Sequence, residues 1–199
     1  MTKARKIRRL RTRLLRPMML AVVVLTVAGA GYALAGVTGE AWIDVPFVAQ
    51  AKNGCGSASI AMVMMYWEKK EGRSARGGTA DAGKIQQALY SRAEGGIPAS
   101  AMKKYFEEAG YRAFTFRGDW EELGRHLGKG RPLIVALKAS GAHGPLHYVV
   151  VVGMDAESGY VYVNDPAQGK MLRVSREGFE SEWSGAHNWT LLAVPRRDS

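Results

Sequence analysis

Gln50-Ala51-Lys52-Asn53-Gly54-Cys55-Gly56-Ser57-Ala58-Ser59 runs directly into Ile60-Ala61-Met62-Val63-Met64-Met65-Tyr66-Trp67. The first half holds turn formers and small residues, the second an apolar run, so the stretch reads as a turn feeding a helix over about residues 56–69. Polar Glu68, Lys69, Lys70 and Glu71, and then Gly72, bring that helix to a stop. Its large apolar residues cover the whole circumference rather than one stripe, which predicts a helix buried through the middle of a domain. Cys55, the single cysteine of the chain, falls in the first turn. Unpaired N–H groups and the positive end of the helix dipole lie there, and both favour a thiolate over a thiol. Most free cysteines are small core hydrophobes. Glycines on both sides argue instead for a sulfur left open to another backbone or a substrate.

The 199 residues suffice for one domain with a sizeable core. A formal charge of +10 suggests nucleic-acid binding until it is located. Eight basic residues and no acids lie in residues 1–35, which leaves 20 basic against 18 acidic in the remainder. The folded part is therefore nearly neutral, and a nucleic-acid partner is excluded. One cysteine rules out an intramolecular disulfide and a cysteine-based zinc site, and no cofactor is implied.

Along the chain, residues 1–16 form a basic leader, expected to stay in the cytoplasm. Met18 to Val37 carries no charge and reads either as a transmembrane anchor or as a signal peptide cut after Ala33-Leu34-Ala35. Both readings of residues 17–37 put residues 38–199 outside the cytoplasm, in the periplasm or at the cell exterior. Trp42 to Ala49 alternates and contains Pro46, as an edge strand would. Residues 73–83 read as a loop. Helices are expected over Lys84–Arg92, Ala99–Ala109 and from an Asp119 cap to Leu127. Strands are expected at Tyr111–Phe116, Leu133–Leu137, His147–Val152, Tyr160–Val163, Met171–Val174 and Trp189–Val194. Helices first and strands last describe an α+β fold, an antiparallel sheet packed on the buried helix.

A thiol nucleophile needs a base within reach and a third group to orient that base. His126 and His187 read as solvated surface residues, and His143 as part of a loose Gly-Ala-His-Gly-Pro loop. His147 opens the β-branched run Tyr148-Val149-Val150-Val151-Val152, which mounts it rigidly where a core strand meets a cleft. If 147–153 pairs with 160–164 through the hairpin-like Asp155–Gly159, Asn164 and Asp165 fall opposite His147. Asn-Asp-Pro is also an ordinary turn sequence, and the pairing is what raises Asp165 above that reading. Gln50, five residues before the cysteine, places an amide beside the Cys55 N–H, two donors for an oxyanion.

Together, Gln50…Gly54-Cys55-Gly56, His147 with its following strand, and Asn164-Asp165-Pro166 resemble the papain-like cysteine peptidases that trim bacteriocin precursors after a double-glycine leader. The resemblance is nearer to stand-alone relatives outside the ABC transporter. Gly95-Gly96-Ile97, Phe106, Gly110 and Arg131-Pro132-Leu133-Ile134-Val135 are similar too, so it covers about residues 43–194. It implies a papain-like fold, a peptide or protein substrate, Cys55 as nucleophile, His147 as base, Asp165 as its orienter and Gln50 at the oxyanion hole. Two departures bear on specificity. Transporter-borne members usually have an acidic residue before the cysteine and one more residue between glutamine and cysteine; here Gly54 precedes Cys55. The same catalytic groups would also serve a thiol acyltransferase or amidase acting on cell-wall peptides, and the same fold a non-catalytic peptide-binding module.

Overall fold

Helix α1 (Cys55–Lys70) is buried nearly all round in the computed structural model, which describes residues 40–72, 80–138 and 146–196. Gly56 to Met64, Tyr66 and Trp67 are buried, and Met65 is the one large apolar residue of the helix at the surface. No side chain caps the N-terminus, where Gly54 is the cap residue, so the first N–H groups keep no side-chain partner. A side chain on Gly54 would bring its Cβ to 3.0 Å from the Ala51 carbonyl oxygen, because the Gly54 N–H already closes the turn onto that oxygen at 2.9 Å.

Seven antiparallel strands form the sheet on which α1 lies: β1 (Glu40–Trp42), β2 (Tyr111–Arg117), β3 (Leu133–Leu137), β4 (His147–Asp155), β5 (Tyr160–Asp165), β6 (Gly169–Ser175) and β7 (Trp189–Pro195). They run in the order β2-β7-β3-β4-β5-β6, with β1 paired to the end of β4. Every residue from Tyr148 to Met154 is buried, so both faces of the sheet are covered at its centre. Hydrogen bonds tie α1 to its surroundings along its length. The Ser59 hydroxyl donates to the Tyr148 carbonyl at 3.2 Å, Tyr66 to the Gly130 carbonyl at 2.8 Å, and the Trp67 indole to the Ala193 carbonyl at 2.9 Å. The first of these fixes the start of α1 against the start of β4, which is what brings Cys55 and His147 to one place.

The remaining helices are α2 (Ala82–Leu89), α3 (Ala99–Glu108), α4 (Trp120–Leu127) and α5 (Arg176–Gly185). Asp119 caps α4 as expected, accepting from the Glu122 N–H at 2.7 Å. Helix α2 begins earlier than the sequence pattern suggests, because the Asp81 carboxylate accepts from the Lys84 N–H and starts it there.

Two expectations are corrected. Helix α5 interrupts the run of strands; Ser175 caps it, and the i, i+4 pair Phe179 and Trp183 is buried under an otherwise polar face. Trp42 to Ala49 is not an edge strand beyond Trp42. The Ile43 N–H still donates to the Val152 carbonyl at 2.7 Å, but Val45 N–H turns back to the Ile43 carbonyl. The segment is held by Asn164, fully buried, whose amide donates to the Val45 carbonyl at 3.2 Å and accepts from the Met171 N–H at 2.9 Å. Its far end is tied by the Gln50 N–H donating to the Pro166 carbonyl at 2.9 Å. Among the described residues no helix is long and apolar enough to cross a membrane. The basic leader 1–16, the segment 17–37, most of the expected 73–83 loop and His143 lie outside the described residues.

Candidate active site

Cys55, His147 and Gln50 line one cleft of about 860 Å³, together with Glu94, Ile97 and Lys138. Asp165 lies behind His147, with 3% of its surface exposed. The ladder pairs Val150 with Asn164, so one step on Asp165 is level with Val149, and His147 is its same-face diagonal neighbour. The expected register, with residues 164 and 165 directly opposite His147, is thus corrected by about two positions. The side chains meet nonetheless, His147 Nε2 and Asp165 Oδ1 standing 2.8 Å apart.

That contact determines which nitrogen does what. An ionised carboxylate only accepts, so Nε2 must carry a proton, and in the neutral ring Nδ1 then holds the free lone pair. Nδ1 is therefore the nitrogen available to the sulfur. Asp165 is itself fixed, since Oδ1 also accepts the Ala167 N–H at 2.8 Å and Oδ2 accepts from the Gln168 amide at 2.7 Å. Burial pushes the Asp165 carboxyl up, but the His147 bond, the Ala167 N–H, the His147 charge and the Gln168 amide outweigh it and hold it below the ordinary carboxylate value.

The thiol is half-buried and donates to the Leu146 carbonyl across 3.8 Å. Burial raises its pKa, and hydrogen bonding to His147 and to the Tyr148 and Gly56 N–H groups, with the His147 charge, lowers it by more; the net direction is down. The two sets of partners belong to two states. A thiol has a proton to give to Leu146, whereas a thiolate only accepts, from the imidazolium and the backbone N–H groups. His147 moves the opposite way, raised to about 10 first by the Asp165 hydrogen bond and then by Cys55. The two groups titrate as a pair whose preferred state is thiolate and imidazolium.

Gln50 brings its side chain to the cleft with Oε1 buried and unpartnered. The turn that carries it is clamped from α2. Gln86 Oε1 accepts from the Ser57 hydroxyl at 2.9 Å, and Gln86 Nε2 donates to the Asn53 carbonyl at 3.3 Å. Sequence reasoning missed Gln86, Gln168 and the Leu146 carbonyl. Only Gln168 left a trace, as the polar residue ending the Asp-Pro-Ala-Gln turn.

His187 is exposed as expected. His126 is half-buried rather than fully solvated: it packs on Phe116 with ring centroids 5.9 Å apart, and its Nδ1 is buried with no hydrogen-bond partner among the described residues. Burial, followed by the charges of Arg131, Arg125 and Lys129, lowers its pKa. Neither histidine lines the cleft.

The model of the Peptidase_C39 like family matches residues 42–190. The chain is 30% identical over 145 residues to the transport/processing ATP-binding protein ComA of Streptococcus pneumoniae, an alignment covering 72% of this chain and 18% of that relative. The chain therefore spans less than a fifth of the length of the curated relatives it matches. Among solved structures, a double glycine motif protease from an AMS/PCAT transporter, in complex with its leader peptide, superimposes with a TM-score of 0.58 at 24% identity, over 78% of this chain and 95% of that one. The peptidase domain of Streptococcus ComA superimposes with a TM-score of 0.57 at 22% identity, over 75% and 98% of the two chains.

Proposed function

The chain belongs to the Peptidase_C39 like family, and from that membership we propose that it is an extracytoplasmic cysteine peptidase acting through Cys55, His147 and Asp165, with Gln50 at the oxyanion. Its fold is that of the papain-like cysteine peptidases, with the cysteine at the head of a buried helix on an antiparallel sheet. The observation that carries the catalytic reading is the Asp165–His147 contact at 2.8 Å, which leaves Nδ1 to the cleft that holds Cys55.

In this reading the thiolate attacks a peptide carbonyl carbon, and the oxyanion that forms is held by the Cys55 N–H and the Gln50 amide. The imidazolium gives its Nδ1 proton to the leaving amine as the carbon–nitrogen bond breaks, leaving a thioester. Neutral His147 then takes a proton from water, which attacks the thioester and releases the acid and the thiolate. Incubating the purified protein with an unstructured protein such as casein tests this. Cleavage that vanishes on stoichiometric alkylation of Cys55 is the expected result; cleavage untouched by alkylation would remove the assignment.

The substrate is proposed to be a peptide other than a generic double-glycine leader. A Cβ before the cysteine would stand 3.0 Å from the Ala51 carbonyl oxygen, so the acidic residue usual in transporter-borne members would require this turn to give by a few tenths of an ångström. Leader peptides of unrelated precursors should be cut slowly at most, and rapid, site-specific cleavage after Gly-Gly across such a panel would refute this.

The uncharged segment 17–37 after a basic leader supports action outside the cytoplasm, by anchoring or after signal cleavage. A reporter active only outside the cytoplasm, fused after Ser199, should therefore be active. A silent fusion in intact, expressed protein would overturn the placement.

A further inference from the structure

A second depression, of about 560 Å³, opens beside the active-site cleft and shares Lys138 and Leu146 with it. Leu146 is the residue whose carbonyl faces the Cys55 sulfur, so an occupant of the depression lies within a few residues of the reacting bond. Its walls include Phe116 and Trp189, and among the described residues its charged or ionisable lining groups are Arg117, Lys138 and His187, with no carboxylate. Further out, past Thr115 and Trp189, Lys103 and Lys104 also flank the surface. Those two are matched by Glu107 at 3.1 Å and Glu108 at 3.6 Å on their own helix, whereas among the described residues Arg117 and Lys138 have no ion-pair partner.

The local backbone holds these groups in place. His187 and Asn188 both take left-handed conformations, each with φ of 55°, although neither is glycine. The pair ends α5, their N–H groups donating to the Ser184 and Trp183 carbonyls at 2.9 Å. The His187 carbonyl in turn accepts from Arg117 Nε at 3.3 Å, which aims the rest of the guanidinium without neutralising it. Cations on a concave, partly apolar surface attract an anion more strongly than the same cations on a flat one.

We propose that this depression selects peptide substrates bearing an aspartate or glutamate side chain close to the scissile bond, with Arg117 and Lys138 as the specificity-determining residues. The proposal rests on the peptidase reading of the neighbouring cleft, and its test separates the two. Peptides acetylated at the N-terminus and amidated at the C-terminus carry Glu, Gln or Lys at successive positions on both sides of a cleaved bond, so only side-chain charge varies. At one such position kcat/KM should favour Glu over Lys by about tenfold, with the ratio shrinking as salt rises. Arg117→Glu combined with Lys138→Glu should invert that ratio, and Arg117→Gln with Lys138→Gln should flatten it. The same peptides, fluorescently labelled, are titrated onto full-length Cys55→Ala protein, where Glu should again bind more tightly than Lys. Equal treatment of Glu and Lys at every position, or a preference that survives both double variants, overturns the proposal. If no peptide is cleaved but binding still follows charge, the groove stands and the peptidase reading falls.

Discussion

Cys55→Ala is expected to leave no measurable peptide hydrolysis, and His147→Ala to lower turnover about 10²–10⁴-fold. In the proposed mechanism the first change removes the atom that attacks, and a side chain as small as alanine should leave the packing of α1 intact. The second removes three things at once: the acceptor for the thiol proton, the donor to the leaving amine, and the positive charge that lowers the Cys55 pKa. The pH dependence separates these roles. In the wild type, alkylation of Cys55 should rise along a limb below the value of an ordinary thiol, since the net shift is downward. Turnover should follow that limb upward and then fall as the imidazolium loses its proton, near the value of about 10 to which Asp165 and Cys55 raise it. Alkylation needs only the thiolate and should not fall there. In His147→Ala, burial is left to act on the thiol with weaker opposition, so the alkylation limb should move to higher pH. A His147→Ala protein with full activity and an unmoved limb would sink the assignment.

Much of this arrangement was legible because it depends on local pattern. An apolar run without a stripe announced a buried helix, and α1 is buried on nearly every side. A β-branched run behind His147 announced a central strand, and β4 is buried from Tyr148 to Met154. The hairpin between Asp155 and Tyr160 brought the Asn164-Asp165 end back toward the histidine. What stayed hidden depends on contacts between distant residues. The alternation of Trp42 to Ala49 is satisfied by burying Ile43 and Val45, while the backbone is held by the Asn164 side chain rather than by a ladder. Helix α5 shows only two buried large apolar residues in a polar sequence, too few to stand out from a loop. The thiol's acceptor is a main-chain carbonyl, which every residue carries and no sequence marks. His126 looked solvated because its neighbours are charged, yet Phe116 from another element covers it.

Gln50→Ala should reduce turnover on the order of 10²–10³-fold, the usual cost of losing one oxyanion donor, while leaving the rate and pH profile of Cys55 alkylation nearly unchanged. The distinction follows from when the amide acts. Alkylation by iodoacetamide develops no negative oxygen in the hole, so the reaction senses the thiolate and not Gln50. Attack on a peptide carbonyl does develop one, beside the Cys55 N–H at the uncapped start of α1. The backbone of Gln50 should survive the substitution, because its N–H stays bonded to the Pro166 carbonyl, one residue beyond Asp165. Loss should therefore appear in kcat far more than in KM. Gln50→Glu is the sharper variant, since a carboxylate sits where the oxyanion must form and repels it, and its loss should exceed that of alanine. If Gln50→Ala retained full turnover, the oxyanion would have to be held by backbone donors alone, and Gln50 would be only the residue that ties the cysteine turn to the Asp165 turn.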